Sequence, residues 1–509
     1  MLAKTLCYAL NCIDGICITV ECNLSGGLPA FEIVGLPDAA VKESRERIKS
    51  TIRNAGFEFP GDRITINLAP ADIKKESAAF DLPIAICILA CCKYINPARI
   101  EDVAIMGELS LDGMLRPVRG ALPIAITARQ DGIKTLIIPK DNAQEVLCVD
   151  GLTIIPVENI TQVVNHLTGR TPIEPLITQP YSKLLGERKY SFDFKNVKGQ
   201  NSAKRALAIA AAGGHNVLMV GPPGSGKTLM ARCMPSILPD MTFEEALMAT
   251  RIHSVAGSLP ETGLLTERPF RSPHHTTSQI SLVGGGLHAL PGEISKAHNG
   301  VLFLDELPEY RRDVLEALRQ PMEDGFVTIT RIQAQSTYPC EFMLVCGMNP
   351  CPCGNYGSRT ASCRCTPNDI KRYLNRISGP LLDRIDMHIE VESIPPERLA
   401  EEKEGQSSDE IRSLVEKARK VQQKRYENER ITCNARLDSG TLNKYCAMSK
   451  TAKDLMNSAS EKMGLSNRAY TRVIKVARTI ADIEEKEGID SEHISEALQY
   501  RTIDDKYWK

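Results

Sequence analysis

The sequence has no apolar stretch long enough to cross a bilayer and no excess of positive charge. Its 509 residues are 42% hydrophobic and 25% charged, a composition typical of soluble globular proteins, and the length suggests about three domains. The formal net charge is −1. A nucleic-acid partner would therefore have to be bound by a local patch or a pore, because the chain as a whole has no basic field.

The first residues lead directly into alternating, strand-like sequence, so we expect no secretory signal. We therefore expect a cytoplasmic protein. In that compartment the seventeen cysteines are expected to be reduced thiols or metal ligands.

The most informative segment is a glycine-rich turn between a short apolar run and a helix-forming run. Its residues are Gly221, Pro222, Pro223, Gly224, Ser225, Gly226, Lys227 and Thr228. A strand, such a turn and a helix form a phosphate cradle, because backbone N–H groups and the helix N-terminus face the anion. Lys227 is expected to reach the β- and γ-phosphates, and the Thr228 hydroxyl to hold Mg²⁺. The flanking elements favour this interpretation over an ordinary turn, and they predict ATP and Mg²⁺ as cofactors.

Two later apolar runs also end in polar residues, as the strands of a P-loop core do. The run ending at residue 304 is followed by Asp305, a predicted Mg²⁺ ligand acting largely through water, and Glu306, a predicted general base. The run over 341–347 leads to Asn349, predicted to lie between the γ-phosphate and the attacking water. A plain turn asparagine is the alternative.

Four cysteines follow Asn349 closely, in two pairs separated by nine residues. They are Cys351, Cys353, Cys363 and Cys365. Such pairs indicate a tetrahedral zinc site, although their C-x-C spacing is tighter than the usual C-x₂-C. Four unliganded thiols are the alternative. A bound metal would stiffen the loop after Asn349.

The two ends of the chain have different patterns. The N-terminal third predicts an α+β domain, with helices over 39–54, 80–94 and 121–131 and strands over 13–20, 31–36, 63–68 and 135–139. The C-terminal part predicts charged helices, including one over 409–428 and one that begins after Ser466, a predicted N-cap.

Several segments of the middle region resemble the YifB/ComM family of magnesium-chelatase-like AAA+ ATPases. They are 270–278 (FRSPHHTTS), 284–286 (GGG), 291–300 (PGEISKAHNG) and 302–306 (LFLDE). The resemblance implies an α/β P-loop AAA+ core with a parallel sheet and a helical lid. It also implies a homo-oligomer, a hexameric ring, in which loops inserted between about residues 240 and 300 face the pore.

The resemblance assigns roles to two arginines. Arg384, just before the last core strand, is expected to act as a finger toward the neighbouring subunit's ATP, in preference to Arg376 on the preceding helix. A surface arginine without this role is the alternative. Arg468 is expected to be the sensor-2 arginine that couples the lid to the nucleotide. Arg472 and Arg478 are weaker candidates on the same helix.

The N-terminal region is similar to the Lon-protease-like (ribosomal S5 domain 2-like) domain that precedes this core in the family. The segments 68–76 (LAPADIKKE), 80–85 (FDLPIA) and 132–140 (GIKTLIIPK) carry the similarity. Lon-type proteases use a Ser-Lys dyad, and the matching positions here are Ala79 and Leu122. Ser77 is close by, but no lysine occupies the matching helix position. We therefore expect a non-proteolytic domain.

The implied organisation is a Lon-like domain (1–168), a linker (169–200), an AAA+ core with insertion and cysteine cluster (201–395) and a lid (396–509). The implied activity is ATP-driven DNA branch migration, which one branch of the family links to natural transformation. A metal-insertion subunit like the magnesium chelatases and an ATP-dependent protease are the alternatives. Insertion residues that could touch phosphate are Arg271, His274, His275, His288, Lys296 and His298. The paired histidines also fit a structural role or a metal site.

Overall fold

The computed structural model describes residues 1–71, 75, 78–179, 181, 190–260, 263–286, 289–330, 335–357, 362–393, 405–429 and 431–508. Part of the predicted linker (180 and 182–189), the last two residues of the predicted core (394–395) and the start of the predicted lid (396–404) lie outside these ranges. So do Ser77 and His288, together with Asp72, Ile73, Lys74 and Glu76 of the Lon-like segment. The chain forms two compact units, Met1–Gly186 with Phe243–Thr266, and Glu187–Thr242 with Glu267–Lys509.

The first unit is built on a mixed sheet. Its strands are β1 (Leu2–Asn11), β2 (Asp14–Ser25), β3 (Ala30–Val34), β4 (Arg63–Ala69), β5 (Val103–Ile105), β6 (Glu108–Leu109), β7 (Leu115–Arg116), β8 (Thr135–Pro139) and β9 (Thr153–Val157). Seven of them form one sheet in the order β3-β4-β2-β1-β5-β8-β9, and β6 pairs with β7. The pairs β1–β2 and β2–β4 are antiparallel, and the other neighbours in the sheet are parallel.

Helices cover this sheet and close its core. They are Ala39–Asn54, Asp81–Cys91, Ala121–Gln130, Ala143–Val146, Ile160–Thr168 and Phe243–Ala256. Every residue of Asp81–Cys91 is buried, as its almost unbroken apolar sequence predicts. The buried carboxylate of Asp81 accepts a hydrogen bond from Arg47 at 2.9 Å, which compensates for its removal from water.

The helix Phe243–Ala256 belongs to the first unit, although it follows the phosphate loop in sequence. Its buried positions include Ala246, Ala249 and Ile252. On the same helix, Ser254 donates to the Glu145 carboxylate at 2.8 Å. The segment predicted to be an insertion within the core is therefore divided between the two compact units.

The second unit contains a five-stranded parallel sheet in the order β11-β14-β17-β10-β18 and two antiparallel hairpins, β12–β13 and β15–β16. Its strands are β10 (Val217–Val220), β11 (Phe270–Arg271), β12 (Gly284–Gly285), β13 (Leu290–Pro291), β14 (Val301–Leu304), β15 (Phe326–Thr330), β16 (Gln335–Pro339), β17 (Met343–Met348) and β18 (Met387–Glu390). Every residue of β10, β14 and β17 is buried, as expected for a parallel sheet covered on both faces.

Helices of the second unit surround the sheet and form the C-terminal bundle. They are Asn201–Gly213, Lys227–Ile237, Gln279–Val283, Glu293–Lys296, Arg312–Glu316, Arg319–Asp324, Pro367–Leu374, Gly379–Leu382, Ser408–Arg425, Ser439–Tyr445, Lys450–Met463, Asn467–Ile483, Ser491–Gln499 and Thr502–Tyr507. The predicted N-cap is confirmed, since the Ser466 hydroxyl accepts from the Ala469 N–H at 3.1 Å. Among the described residues, none of the helices is both long and apolar enough to span a membrane.

Candidate nucleotide-binding site

The sheet of the second unit brings the predicted nucleotide residues to one edge. Strands β14, β17 and β10 are adjacent and parallel, so their carboxyl ends lie together. The phosphate loop follows β10, Asp305 and Glu306 follow β14, and Asn349 follows β17. Because β17 lies between the other two strands, Asn349 is placed between the loop and the carboxylates.

Lys227 packs against the phosphate loop, and only 8% of the residue's surface is exposed. Its amine donates to the carbonyls of Gly221 (2.8 Å) and Pro222 (2.9 Å). The Asn349 Oδ1 atom is 3.4 Å from the same amine. The loop enters its helix through Gly226 at a φ of 91°, a backbone conformation that favours glycine. Burial lowers the pKa of Lys227 to about 8, although Asp305 and Glu306 oppose this shift.

The Thr228 hydroxyl donates to Asp305 Oδ2 at 2.6 Å. This pairing brings a hydroxyl oxygen and a carboxylate, both ligand types that Mg²⁺ prefers, to the mouth of the phosphate loop. The other Asp305 oxygen accepts from the Glu306 N–H at 3.0 Å, which fixes the carboxylate's orientation. The donor set therefore fits Mg²⁺ bound together with phosphate.

Glu306 has a left-handed backbone (φ 54°), which is uncommon for a residue other than glycine. Its carboxylate lies 3.4 Å from His275 Nδ1. The His275 ring packs against His274 in a tilted arrangement, with ring centroids 4.1 Å apart, and makes an edge-to-face contact with Tyr310. The sequence identified the histidines but gave no signal for this contact with the predicted general base.

A cavity of about 410 Å³ joins these groups. It is lined by Pro223, Gly224, Ser225, Gly226, Lys227, Thr228, Leu229, Asp305, Glu306, Met348 and Asn349. Lys227 and Glu306 thus face the same space. The cavity is large enough for a phosphate chain and a water molecule, and its lining is cationic at the loop and acidic at the end of β14.

The two predicted arginines are brought together, but not in this cavity. Arg384 pairs with Glu323 Oε1 at 2.6 Å, and Arg468 approaches the same oxygen at 3.4 Å. Arg384 is only 4% exposed, whereas the Arg468 side chain is 55% exposed. Glu323 could not be singled out from the sequence, because it is one of two adjacent acidic residues at the end of a short helix.

The other arginine candidates have different partners. Arg376 donates to Glu309 at 2.7 Å, and its side chain is half exposed. Arg472 is paired with Asp386. Arg478 is fully buried and pairs with Asp482 at 3.0 Å, so it is a structural residue.

The insertion residues are largely engaged within the protein. Arg271 and Lys296 both pair with Glu293, at 2.6 and 3.2 Å. His298 is buried, and its Nδ1 accepts from the Glu341 N–H at 3.0 Å. Burial lowers the pKa of His298 to about 4, so this ring is neutral and structural.

The positions that match the Lon dyad are both buried. Ala79 lies in a short 3₁₀ turn and Leu122 in the helix Ala121–Gln130, with 4% and 0% of their surfaces exposed. Neither side chain can act as a nucleophile or a base.

The comparison with known proteins agrees with the fold and the site. Three family models match the chain. The model described as "Magnesium chelatase, subunit ChlI" matches residues 193–399, "Subunit ChlI of Mg-chelatase" matches 20–142, and "Magnesium chelatase, subunit ChlI C-terminal" matches 405–501. YifB of Escherichia coli (strain K12), itself uncharacterized, is 44% identical over 489 residues, 96% of this chain and 94% of that protein. The chain belongs to the YifB/ComM family of magnesium-chelatase-like proteins.

Other relatives extend the comparison. The competence protein ComM of Haemophilus influenzae is 43% identical over 490 residues, 96% of this chain and 94% of ComM. Lon protease 2 of Bacillus subtilis is 31% identical over 135 residues, 26% of this chain and 24% of the protease. This chain thus has an AAA+ core, and its N-terminal region has partial similarity to Lon proteases, as predicted.

Proposed function

We propose that this protein is an Mg²⁺-dependent AAA+ ATPase whose hydrolysis cycle remodels branched DNA. The observation that carries the ATPase proposal is the convergence of Lys227, Thr228, Asp305, Glu306 and Asn349 on one cavity. These five side chains come from three strand ends that are distant in sequence. A structural turn would not need a buried amine and two carboxylates at the same edge of the sheet.

Each residue has a chemical task in this proposal. Lys227 and the loop N–H groups bind the phosphates, and Thr228 with Asp305 holds Mg²⁺, which neutralises phosphate charge when bound. Glu306 accepts a proton from the attacking water, and His275 holds its carboxylate. Asn349 orients groups near the γ-phosphate. The proposed cofactors are ATP and Mg²⁺ at this site and Zn²⁺ at the cysteine cluster.

The proposed assembly is a cytoplasmic homo-hexamer in which Arg384 and Arg468 act on the neighbouring subunit's nucleotide. Neither arginine lines the nucleotide cavity of its own subunit, and both guanidinium groups pair with Glu323 instead. This arrangement supports a role at the neighbouring subunit's site. The Nε of Arg384 is buried and has no hydrogen-bond partner among the described residues. A guanidinium that leaves Glu323 for a γ-phosphate would exchange one anion for another.

DNA is the proposed substrate because the relative ComM is a competence protein that matches nearly the whole chain. A metal-insertion role is the alternative, because the family model that matches 193–399 describes a magnesium chelatase subunit. A Ser-Lys protease is disfavoured, since Ala79 and Leu122 occupy the dyad positions and are buried.

The deciding experiment measures ATP turnover and strand exchange on a four-way DNA junction, with linear duplex as the control substrate. We expect the junction to stimulate turnover and to be converted into two duplexes by branch migration only with ATP. Glu306→Gln should bind the junction without converting it. The assay needs several salt concentrations, because phosphate contacts weaken steeply with salt. A junction that neither binds nor stimulates turnover at physiological salt would remove the DNA proposal and leave the ATPase proposal standing.

A further inference from the structure

The four cysteines after Asn349 converge on one point. The Sγ atoms of Cys351 and Cys353 are 3.4 Å apart, Cys351 and Cys363 are 3.7 Å apart, and Cys353 and Cys363 are 3.6 Å apart. With Cys365 included, all four sulfur atoms lie within 4.8 Å of one another. Four thiolates bound to one zinc ion at about 2.3 Å would be separated by about 3.8 Å. The cluster therefore has the dimensions of a mononuclear site, too small for a polynuclear metal cluster.

The backbone around these sulfurs also suits a metal ligand. The Tyr356 N–H donates to Cys351 Sγ at 3.3 Å. The Gly354 N–H closes the turn by donating to the Cys351 carbonyl at 2.9 Å. A backbone donor such as the Tyr356 N–H compensates the negative charge of a ligating thiolate. Cys351 is buried, whereas the other three thiols are partly exposed, which leaves a route for the ion to enter.

The same turn packs against the phosphate loop. Gly354 has a φ of 80°, and a Cβ there would lie 2.5 Å from Cδ of Pro223. Pro223 has a rigid ring and lines the nucleotide cavity. The position of the cysteine turn therefore limits where the start of the phosphate loop can lie.

We propose that Cys351, Cys353, Cys363 and Cys365 bind one Zn²⁺ as thiolates, and that this site supports the phosphate loop through the contact between Gly354 and Pro223. Zinc binding releases the thiol protons and closes the two C-x-C turns around one ion. The zinc site does not depend on the proposed ATPase function. The effect of the zinc site on nucleotide binding does rest on that proposed function.

The metal content of the full chain tests the first part. Protein purified in reducing buffer, without a chelator or a histidine tag, is expected to contain about one zinc ion per chain by mass spectrometry. The double variant Cys363→Ser/Cys365→Ser should lose this zinc, and the matched control Cys92→Ser should retain it. Because the double variant could misfold, a mercurial thiol reagent is also applied to the wild type, and zinc release is read with a chelating dye. Iron in place of zinc, or no metal in the wild type, would overturn the assignment.

Nucleotide affinity tests the second part. Gly354→Ala is expected to keep its zinc and to bind a fluorescent ATP analogue about tenfold more weakly. Gly357→Ala is the matched control, because its φ of 72° carries similar strain while, among the described residues, a Cβ there would meet only the end of the Lys506 side chain, at 3.6 Å. Equal affinities for the two variants would refute the support role. If the wild type binds zinc but no nucleotide, the proposed function fails while the metal site stands.

Discussion

At the scale of single residues, burial of the Lys227 amine predicts that nucleotide affinity depends on pH. Its pKa is lowered to about 8 by burial, and phosphate oxygens would raise it again in the complex. Binding therefore takes up a proton above that pH. We expect ATP affinity to fall by up to about tenfold per pH unit above about pH 8. Titration of a fluorescent ATP analogue from about pH 7.5 to about 9.5 measures the slope.

Lys227→Ala is the control for this dependence, since it lacks the titrating amine. Its affinity should be weak and nearly constant over the same range. A wild-type affinity that stays constant up to about pH 9.5 would contradict the assigned contact between this amine and phosphate.

A second residue-scale prediction concerns His275, which lies 3.4 Å from the Glu306 carboxylate. We expect His275→Ala to lower kcat about tenfold, because an unrestrained general base spends less time aligned with water. Nucleotide affinity should change little, as His275 does not line the cavity. His274→Ala is the comparison, and its kcat should stay close to that of the wild type. Equal losses in both variants would indicate that the histidine pair is only structural.

At the scale of elements, Glu323 joins two segments that are distant in sequence. It lies on the helix Arg319–Asp324 and pairs with Arg384 and with Arg468 of the helix Asn467–Ile483. We expect Arg384→Ala and Arg468→Ala to lower turnover more than about tenfold while ATP affinity is retained, because both arginines lie outside their own cavity. Steady-state turnover and equilibrium binding separate the two effects.

Mixing subunits supplies the control for this arginine prediction. Arg384→Ala subunits should regain part of their turnover when mixed with Lys227→Ala subunits, since the Lys227→Ala neighbour supplies an intact Arg384 to a site that still has its Lys227. Arg376→Ala loses only an exposed ion pair with Glu309, so its turnover without mixing should equal that of the wild type. Loss of ATP affinity in Arg468→Ala would show that this arginine serves its own subunit.

Local sequence patterns predicted the elements that carry the site. An apolar run, a glycine-rich turn and a helix define the phosphate loop around Lys227, and the apolar run before Asp305 is the observed β14. The contacts made by Glu323 and His275 could not be predicted, because they depend on how separate segments pack. The sequence predicts one insertion within the core over about 240–300, and it does not predict that the helix Phe243–Ala256 packs in the first unit, because this packing also depends on contacts between distant segments.

At the scale of the whole molecule, the first unit contains a segment, Phe243–Thr266, that follows the phosphate loop in sequence. We therefore predict that deletion of residues 1–168 leaves this segment without its packing partners. This deletion would expose the apolar face of Phe243–Ala256, including Ala246 and Ile252. We expect the truncated chain to aggregate. A truncation in which a Gly-Ser linker also replaces 243–266 should be more soluble. Sedimentation of the two proteins checks this, and a monodisperse simple truncation would contradict it.

The central claim is that a triphosphate is bound at Lys227 and hydrolysed by water that Glu306 activates. Paired measurements of ATP affinity and turnover test it most directly. Lys227→Ala should lose both, whereas Glu306→Gln should keep or increase affinity and lose more than about a hundredfold in turnover. Turnover at the wild-type level in either variant would contradict the account.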